Sequence, residues 1–270
     1  MTNPAANHVH EIKNRPFEVV PITAFEDNYV WLIHHHGRAA VVDPGDAEPV
    51  LAYLQQHQLT LDAILITHYH ADHIDGVAAL LHNFPEASTY TPAKKHFDFT
   101  HHQVVEGNAI SLPSIGITLQ VMETPGHTAE HVAYYGANCL FCGDTLFGCG
   151  CGRLFDGTCE QLYTSLQRLS ELPGETLVYC AHEYTQQNTR FARLLDTDNP
   201  ALVQREANAD ILRERNQPTL PSTIALEIST NPFLRCTDHN IQLAVSQLSN
   251  KSLTDAQAVF CAMRELKNHY

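Results

Sequence analysis

Residues 68–73, His68-Tyr69-His70-Ala71-Asp72-His73, put four potential metal donors on one short stretch of chain. An apolar run at residues 61–67 precedes it and predicts a strand. The spacing of residues 74–81 predicts a helix directly after it, with Asp72 or Asp75 as cap. Side chains in a loop at a strand end can converge instead of alternating. His68 and His70 can then face one ion, and Asp72 and His73 a second beside it. A single histidine in such a place usually belongs to the surface or the core. Four nitrogen and oxygen donors together demand a sheet rigid enough to hold them.

Three more donors sit in similar settings. His127 lies in the turn Thr124-Pro125-Gly126-His127-Thr128, after an apolar run ending at residue 122. Asp144 follows the run at 138–141, and His182 follows the run at 176–180. Five imidazoles and two carboxylates exceed one tetrahedral shell and suit two metals bridged by a carboxylate and a hydroxide. The set has no thiolate, so zinc is the first choice and Fe or Mn are compatible.

The remaining pattern divides the chain near residue 184. Residues 1–16 are polar and predict a flexible tail. Residues 17–22, 29–33 and 39–42 predict strands separated by turns. Residues 48–57 predict a helix, 109–122 and 131–141 further strands, and 160–172 an amphipathic helix ended by Pro173-Gly174. Beyond residue 185 strand patterns fade, and 186–195, 201–215 and 254–266 predict helices. The expected architecture is an α/β body over 17–184 and a smaller, mostly helical unit over 185–270.

Composition excludes several classes. The chain has 270 residues, with Lys+Arg 16 against Asp+Glu 30, a formal net charge of -14. That balance disfavours nucleic-acid partners. No run approaches the roughly 18 apolar residues of a membrane span. The polar start lacks the apolar core of a signal peptide. The 8 Cys then predict reduced thiols and a cytoplasmic protein. Cys139, Cys142, Cys149 and Cys151 are spaced poorly for a zinc ribbon and predict free buried thiols. His34, His35 and His36 predict a hairpin surface, and His131 either a residue behind the metal donors or a core histidine. The run Gly148-Cys149-Gly150-Cys151-Gly152 lacks the Lys-Ser/Thr pair of a phosphate loop. There is no G-x-S-x-G elbow.

The segments THYHADH, TPGHT, FCGDT and CAHEY, in this order, resemble the metallo-β-lactamase superfamily. Within it the chain is most similar to the glyoxalase II (hydroxyacylglutathione hydrolase) family. The similarity runs from about residue 17 to the C-terminus. It includes Phe25-Glu26-Asp27-Asn28-Tyr29, Val42-Asp43-Pro44-Gly45, Gly150-Cys151-Gly152-Arg153 and Asn231-Pro232-Phe233-Leu234-Arg235.

That resemblance implies a four-layer αββα sandwich followed by a helical substrate-binding domain. It implies that His68, His70 and His127 hold one metal, that Asp72, His73 and His182 hold another, and that Asp144 bridges them. The implied reaction is attack of a metal-bound hydroxide on the thioester of S-(2-hydroxyacyl)glutathione, typically S-D-lactoylglutathione. Glutathione and D-lactate are the products. Asp72 is expected to orient the hydroxide through its free oxygen. The implied glutathione contacts are Arg264 and Lys267, three apart on the last helix, with Arg153 and Tyr184. Phe155 stands where some relatives carry Tyr, which removes one hydroxyl. No nucleic-acid or membrane partner is implied, and nothing calls for more than a monomer. The alternatives are an RNA-processing phosphodiesterase, which would want a basic surface, and a single-iron sulfur dioxygenase, which would lack the helical unit. A non-catalytic relative would have lost donors.

Overall fold

The computed structural model describes residues 15–93 and 97–270. Its frame is two six-stranded sheets packed on a shared core. The first sheet runs β1 (Glu18–Ala24), β2 (Asn28–His35), β3 (Arg38–Val42), β4 (Thr60–Leu65), β5 (Ser88–Pro92) and β6 (His102–Val104). The second runs β7 (Ala109–Leu112), β8 (Ile117–Glu123), β9 (Val132–Gly136), β10 (Cys139–Gly143), β13 (Leu177–Cys180) and β14 (Ser222–Thr223). A small hairpin, β11 (Leu146–Phe147) with β12 (Gly150–Cys151), follows β10.

The apolar runs of β2, β3, β10 and β13 become strands buried on both faces, which is why they are continuous and not alternating, whereas β7 and β8 alternate between buried and exposed. In β2, Tyr29, Trp31 and Ile33 enter the core between the sheets, while Val30 and Leu32 join the outer cluster. Helices α1 (Ala47–Gln56) and α3 (Val77–Asn83) cover that outer cluster with Val50, Leu54, Val77 and Leu80. On the other side α4 (Cys159–Ser170) packs Leu162, Leu166 and Leu169 into the main core. The result is the four-layer αββα sandwich. Trp31 is fully buried and its indole N–H donates to the Cys180 carbonyl at 2.9 Å, so this large apolar group leaves no polar atom unmet.

The helix expected over 74–81 is instead two pieces, α2 (Ala71–Ile74) and α3, divided at Gly76. A Cβ at Gly76 would stand 2.5 Å from the Pro44 carbonyl oxygen, so the chain turns where only glycine fits. Neither Asp72 nor Asp75 is an N-cap: Asp72 sits inside the first turn of α2, and Asp75 closes the other end as its C-cap. By contrast α4 starts on a full capping box between Thr158 and Gln161.

The C-terminal part holds α5 (Thr185–Leu195), α6 (Pro200–Glu214), α7 (Ile224–Thr230), α8 (His239–Ser249) and α9 (Ala256–Asn268). It is mostly helical, as expected, but it also sends β14 into the second sheet, antiparallel to β13. Of the expected tail, residues 1–14 lie outside the described residues; Arg15 donates to the Asn138 carbonyl at 3.2 Å and so is docked. Cys139, Cys142, Cys149 and Cys151 are free and buried, as expected. The expectation of reduced thiols throughout fails at one pair. Cys159 of α4 and Cys261 of α9 are joined, their Cα atoms 5.8 Å apart because the two helices pack together. Among the described residues no helix is long and apolar enough to cross a membrane.

Candidate metal centre and substrate cavity

β8, β10 and β13 point the same way in the second sheet, since β9 is antiparallel to both β8 and β10 and β13 is parallel to β10. Their C-terminal ends therefore share one edge, and each delivers a donor just beyond it: His127, Asp144 and His182. The end of β4 is stitched to this edge by the bond from Val132 N–H to the Thr67 carbonyl, 2.9 Å, and by the Tyr134 hydroxyl on the Ile66 carbonyl, 2.6 Å. That places residues 68–73 opposite them. At Gly126 (φ +145) a Cβ would lie 2.4 Å from Leu162 of α4, so glycine lets the turn before His127 press onto the helix.

All seven expected donors converge. His68 Nε2 and His127 Nε2 each lie 3.0 Å from His70 Nδ1. Asp72 Oδ2 lies 3.4 Å from His73 Nε2 and 3.5 Å from His182 Nε2. Asp144 spans both groups: Oδ2 is 3.4 Å from His127 Nε2, while Oδ1 is 3.4 Å from His182 Nε2 and 3.6 Å from His73 Nε2. Four ligands about 2.05 Å from one ion at tetrahedral angles stand about 3.3 Å apart, which is this spacing. His73 Nε2 and Asp144 Oδ1 are buried with no hydrogen-bond partner. Such atoms are costly unless something else satisfies them. The residues present fit divalent cations.

The far side of each ring explains which nitrogen faces inward. His127 Nδ1 donates to the Arg153 carbonyl at 2.7 Å, and His182 Nδ1 to Asp27 at 2.8 Å. The Thr67 hydroxyl donates to Asp43, 2.7 Å, so its oxygen accepts from His68 Nδ1 at 3.1 Å. His73 Nδ1 faces Asp43 Oδ2 at 3.1 Å. These contacts turn four Nε2 lone pairs toward the cavity. Asp43 could itself join His68 and His73 as a third donor group. Its oxygens, however, already take the Thr67 N–H and O–H. The sequence motifs containing Asp27, Asn28 and Asp43 gave these residues no role. Their partners are too distant in sequence for spacing to reveal, although Asp43 has positive φ (53°), a conformation that aspartate tolerates.

The electrostatics differ between the two groups. Burial lowers His68, His70 and His127, keeping these rings neutral. Burial also opposes charge on His182, but Asp144 and Asp27 outweigh it and raise that ring to about 9. His73 is raised likewise, with Asp144 and Asp43 overcoming burial. For Asp72 burial works against ionisation, yet His73 and the Asn28 amide hold the carboxyl below its usual range.

A cavity of about 490 Å³ opens onto these donors. His70, Asp72, His127, Asp144 and His182 line it, as do all five residues expected to meet substrate, Arg153, Phe155, Tyr184, Arg264 and Lys267. His68 and His73 lie behind that wall, fully buried. Arg264 donates to the Cys151 carbonyl at 2.8 Å and stands over the Phe233 ring. Lys267 Nζ lies over the Phe191 and Tyr270 rings, 5.1 and 4.9 Å from their centroids. Burial, with Arg264 nearby, lowers Lys267 to about 8. The Phe155 ring is edge-on to His70 and His127, at 4.6 and 5.1 Å. The Tyr184 ring stacks on His182 at 4.8 Å. Gln187, Asn188, Asn268 and Tyr270 also line the cavity; no pattern in the sequence singled them out.

Fold and donor set together define a member of the metallo-β-lactamase superfamily, and residues 24–182 match its family model. Residues 183–270 match the model described as the hydroxyacylglutathione hydrolase C-terminus. A hydroxyacylglutathione hydrolase of Methylobacillus flagellatus is 52% identical over 254 residues, 94% of this chain and 100% of that one. The chain belongs to the hydroxyacylglutathione hydrolase family. Among solved structures, ETHE1 from Myxococcus xanthus superposes with a TM-score of 0.64 at 26% identity, covering 93% of this chain and 91% of that one. TTHA1623, solved in a di-iron-bound form, gives 0.59 at 27% identity, covering 80% and 100%.

Proposed function

We propose that this chain hydrolyses the thioester of S-(2-hydroxyacyl)glutathione, typically S-D-lactoylglutathione, to glutathione and a 2-hydroxy acid. The observation that carries this is one cavity lined by both the converging donors and three cations, Arg153, Arg264 and Lys267, in a chain otherwise strongly acidic. Our assignment gives His68, His70 and His127 to one ion, Asp72, His73 and His182 to a second, and Asp144 to both. The nitrogen and oxygen donors suit zinc first, with Fe or Mn also accepted; the di-iron form of TTHA1623 is in keeping with two ions. When bound, such ions supply Lewis acidity and water acidified to a pKa of about 7.

The chain's own groups do the rest. Asp72, held by the Asn28 amide at 2.9 Å on Oδ2, offers its other oxygen to orient the attacking water. Arg264 and Lys267 take a glutathione carboxylate, and Arg153 and Tyr184 flank the peptide. Phe155 supplies an apolar wall beside the acyl group. The leaving thiolate, whose thiol has a pKa of about 8.5, needs little protonation. We assign residues 17–184 as the catalytic domain and 185–270 as the substrate-binding domain of a cytoplasmic monomer without nucleic-acid or membrane partners.

The test is loss of thioester absorbance when purified protein meets S-D-lactoylglutathione, with and without a chelator. Hydrolysis that the chelator abolishes supports the reading. No hydrolysis by metal-replete protein sinks it.

A further inference from the structure

The two donor groups are backed by chemically different partners. His182 Nδ1 is hydrogen-bonded to a full carboxylate, Asp27 at 2.8 Å, and His73 Nδ1 faces another, Asp43, at ion-pair distance, 3.1 Å. His68 and His127 turn theirs toward a neutral hydroxyl and a neutral carbonyl, those of Thr67 and Arg153; the Thr67 hydroxyl passes on to Asp43, so Asp27 is the carboxylate that backs the Asp72 group alone. A carboxylate acceptor makes the opposite ring nitrogen a stronger donor and adds negative charge near the ion. The Asp72 group also contains a carboxylate of its own, whereas the other has three imidazoles and only the shared Asp144.

One turn enforces this difference. Between β1 and β2, Asp27 holds His182 and the next residue, Asn28, donates to Asp72 Oδ2 at 2.9 Å. The turn is itself fastened to the second sheet. Tyr29 N–H donates to the Ala181 carbonyl at 2.7 Å, and Glu183 N–H to the Asp27 carbonyl at 2.9 Å. The Tyr29 hydroxyl donates to Glu183 at 2.9 Å, and Glu183 also takes the Thr219 N–H at 2.8 Å. Residues 27–29 thus lie zipped along 181–183, joining a strand of the first sheet to a donor of the second.

We propose that Asp27 and Asn28 are positioning residues for the Asp72, His73 and His182 subsite alone, and that this subsite holds its ion more tightly than the subsite of His68, His70 and His127. The inference rests on the two-ion reading above. It makes the subsites unequal by construction, with the His68 group the exchangeable one.

The test equilibrates zinc-loaded protein with graded chelator and counts zinc per chain. Wild type is expected to release zinc in two steps separated by tenfold or more. Asp27→Asn keeps the shape of the turn and is expected to weaken the tight step about 10- to 100-fold, leaving the loose step in place. Asn28→Ala is expected to do the same. His70→Ala is expected to retain one zinc at the tight wild-type affinity. Melting of each metal-free variant reports whether it is folded. Equal weakening of both steps by Asp27→Asn and Asn28→Ala in folded protein would overturn the proposal, as would no weakening of either. So would loss of the tight zinc in His70→Ala. Uptake of a single zinc by wild type at saturating metal would instead overturn the two-ion reading itself.

Discussion

The buried ring of His131 accepts the backbone N–H of Asp144 at 3.1 Å through Nε2. Its Nδ1 then carries the proton, facing the Thr124 and Thr145 hydroxyls at 2.9 and 3.1 Å. Burial and the neighbouring His127 keep the ring neutral. His131 therefore fixes the main chain from which the Asp144 carboxylate projects. His131→Ala leaves that N–H buried and unpaired, a loss of about 1–3 kcal/mol before any cavity term. Urea unfolding of the metal-free chain measures it, and an unshifted midpoint would count against the role.

Lys267 is lowered to about 8 by burial, with Arg264 adding to the effect. It is charged below that pH and neutral above it, so its attraction for an anionic substrate fades as pH rises. KM for the glutathione thioester is expected to climb between pH 7.5 and 9. Lys267→Arg keeps the charge throughout and is expected to flatten the climb. A wild-type KM constant over that range would refute the assignment.

Phe155 stands exposed on the cavity rim against His70 and His127. Phe155→Tyr adds one hydroxyl at the rim of the proposed substrate cavity. A hydrogen bond is worth about 0.5–1.5 kcal/mol, so KM is expected to fall about two- to tenfold with kcat little changed. Steady-state kinetics decide it.

Glu227 is fully buried and pairs with Arg205 in the helical unit. It also takes the Cys149 N–H at 2.9 Å and the Ser222 hydroxyl at 2.6 Å, tying α7 to the β11–β12 hairpin. Removing one partner of such a pair costs about 3–5 kcal/mol. Glu227→Ala is expected to lose that much in denaturant unfolding, and a loss below about 1 kcal/mol would show the pair to be dispensable.

The sequence made the sheets and donors legible because their signals are local. Runs such as residues 29–33 are apolar for the length of a strand, and His68 to His73 crowd four donors into one turn. The break at Gly76 was missed because a helical pattern crosses it, and the close approach of the Pro44–Ala47 backbone, which leaves room only for glycine there, belongs to the tertiary fold. Helices α7 and α8 were missed too. Leu243 and Leu248 of α8 face solvent, so its apolar positions trace no clean stripe. Asp27, Asp43 and Glu227 act on partners brought near only by folding, His182 being 155 residues from Asp27. No spacing rule reaches that far.

The strand β14 has a consequence for any attempt to shorten the chain. Ser222 and Thr223 pair with Val178 and Leu177 at the rim of the second sheet, two residues short of the loop that carries His182. A fragment ending near residue 184 would bare the rim of β13, a ready template for another chain. Such a fragment is expected to aggregate, even with every metal donor present.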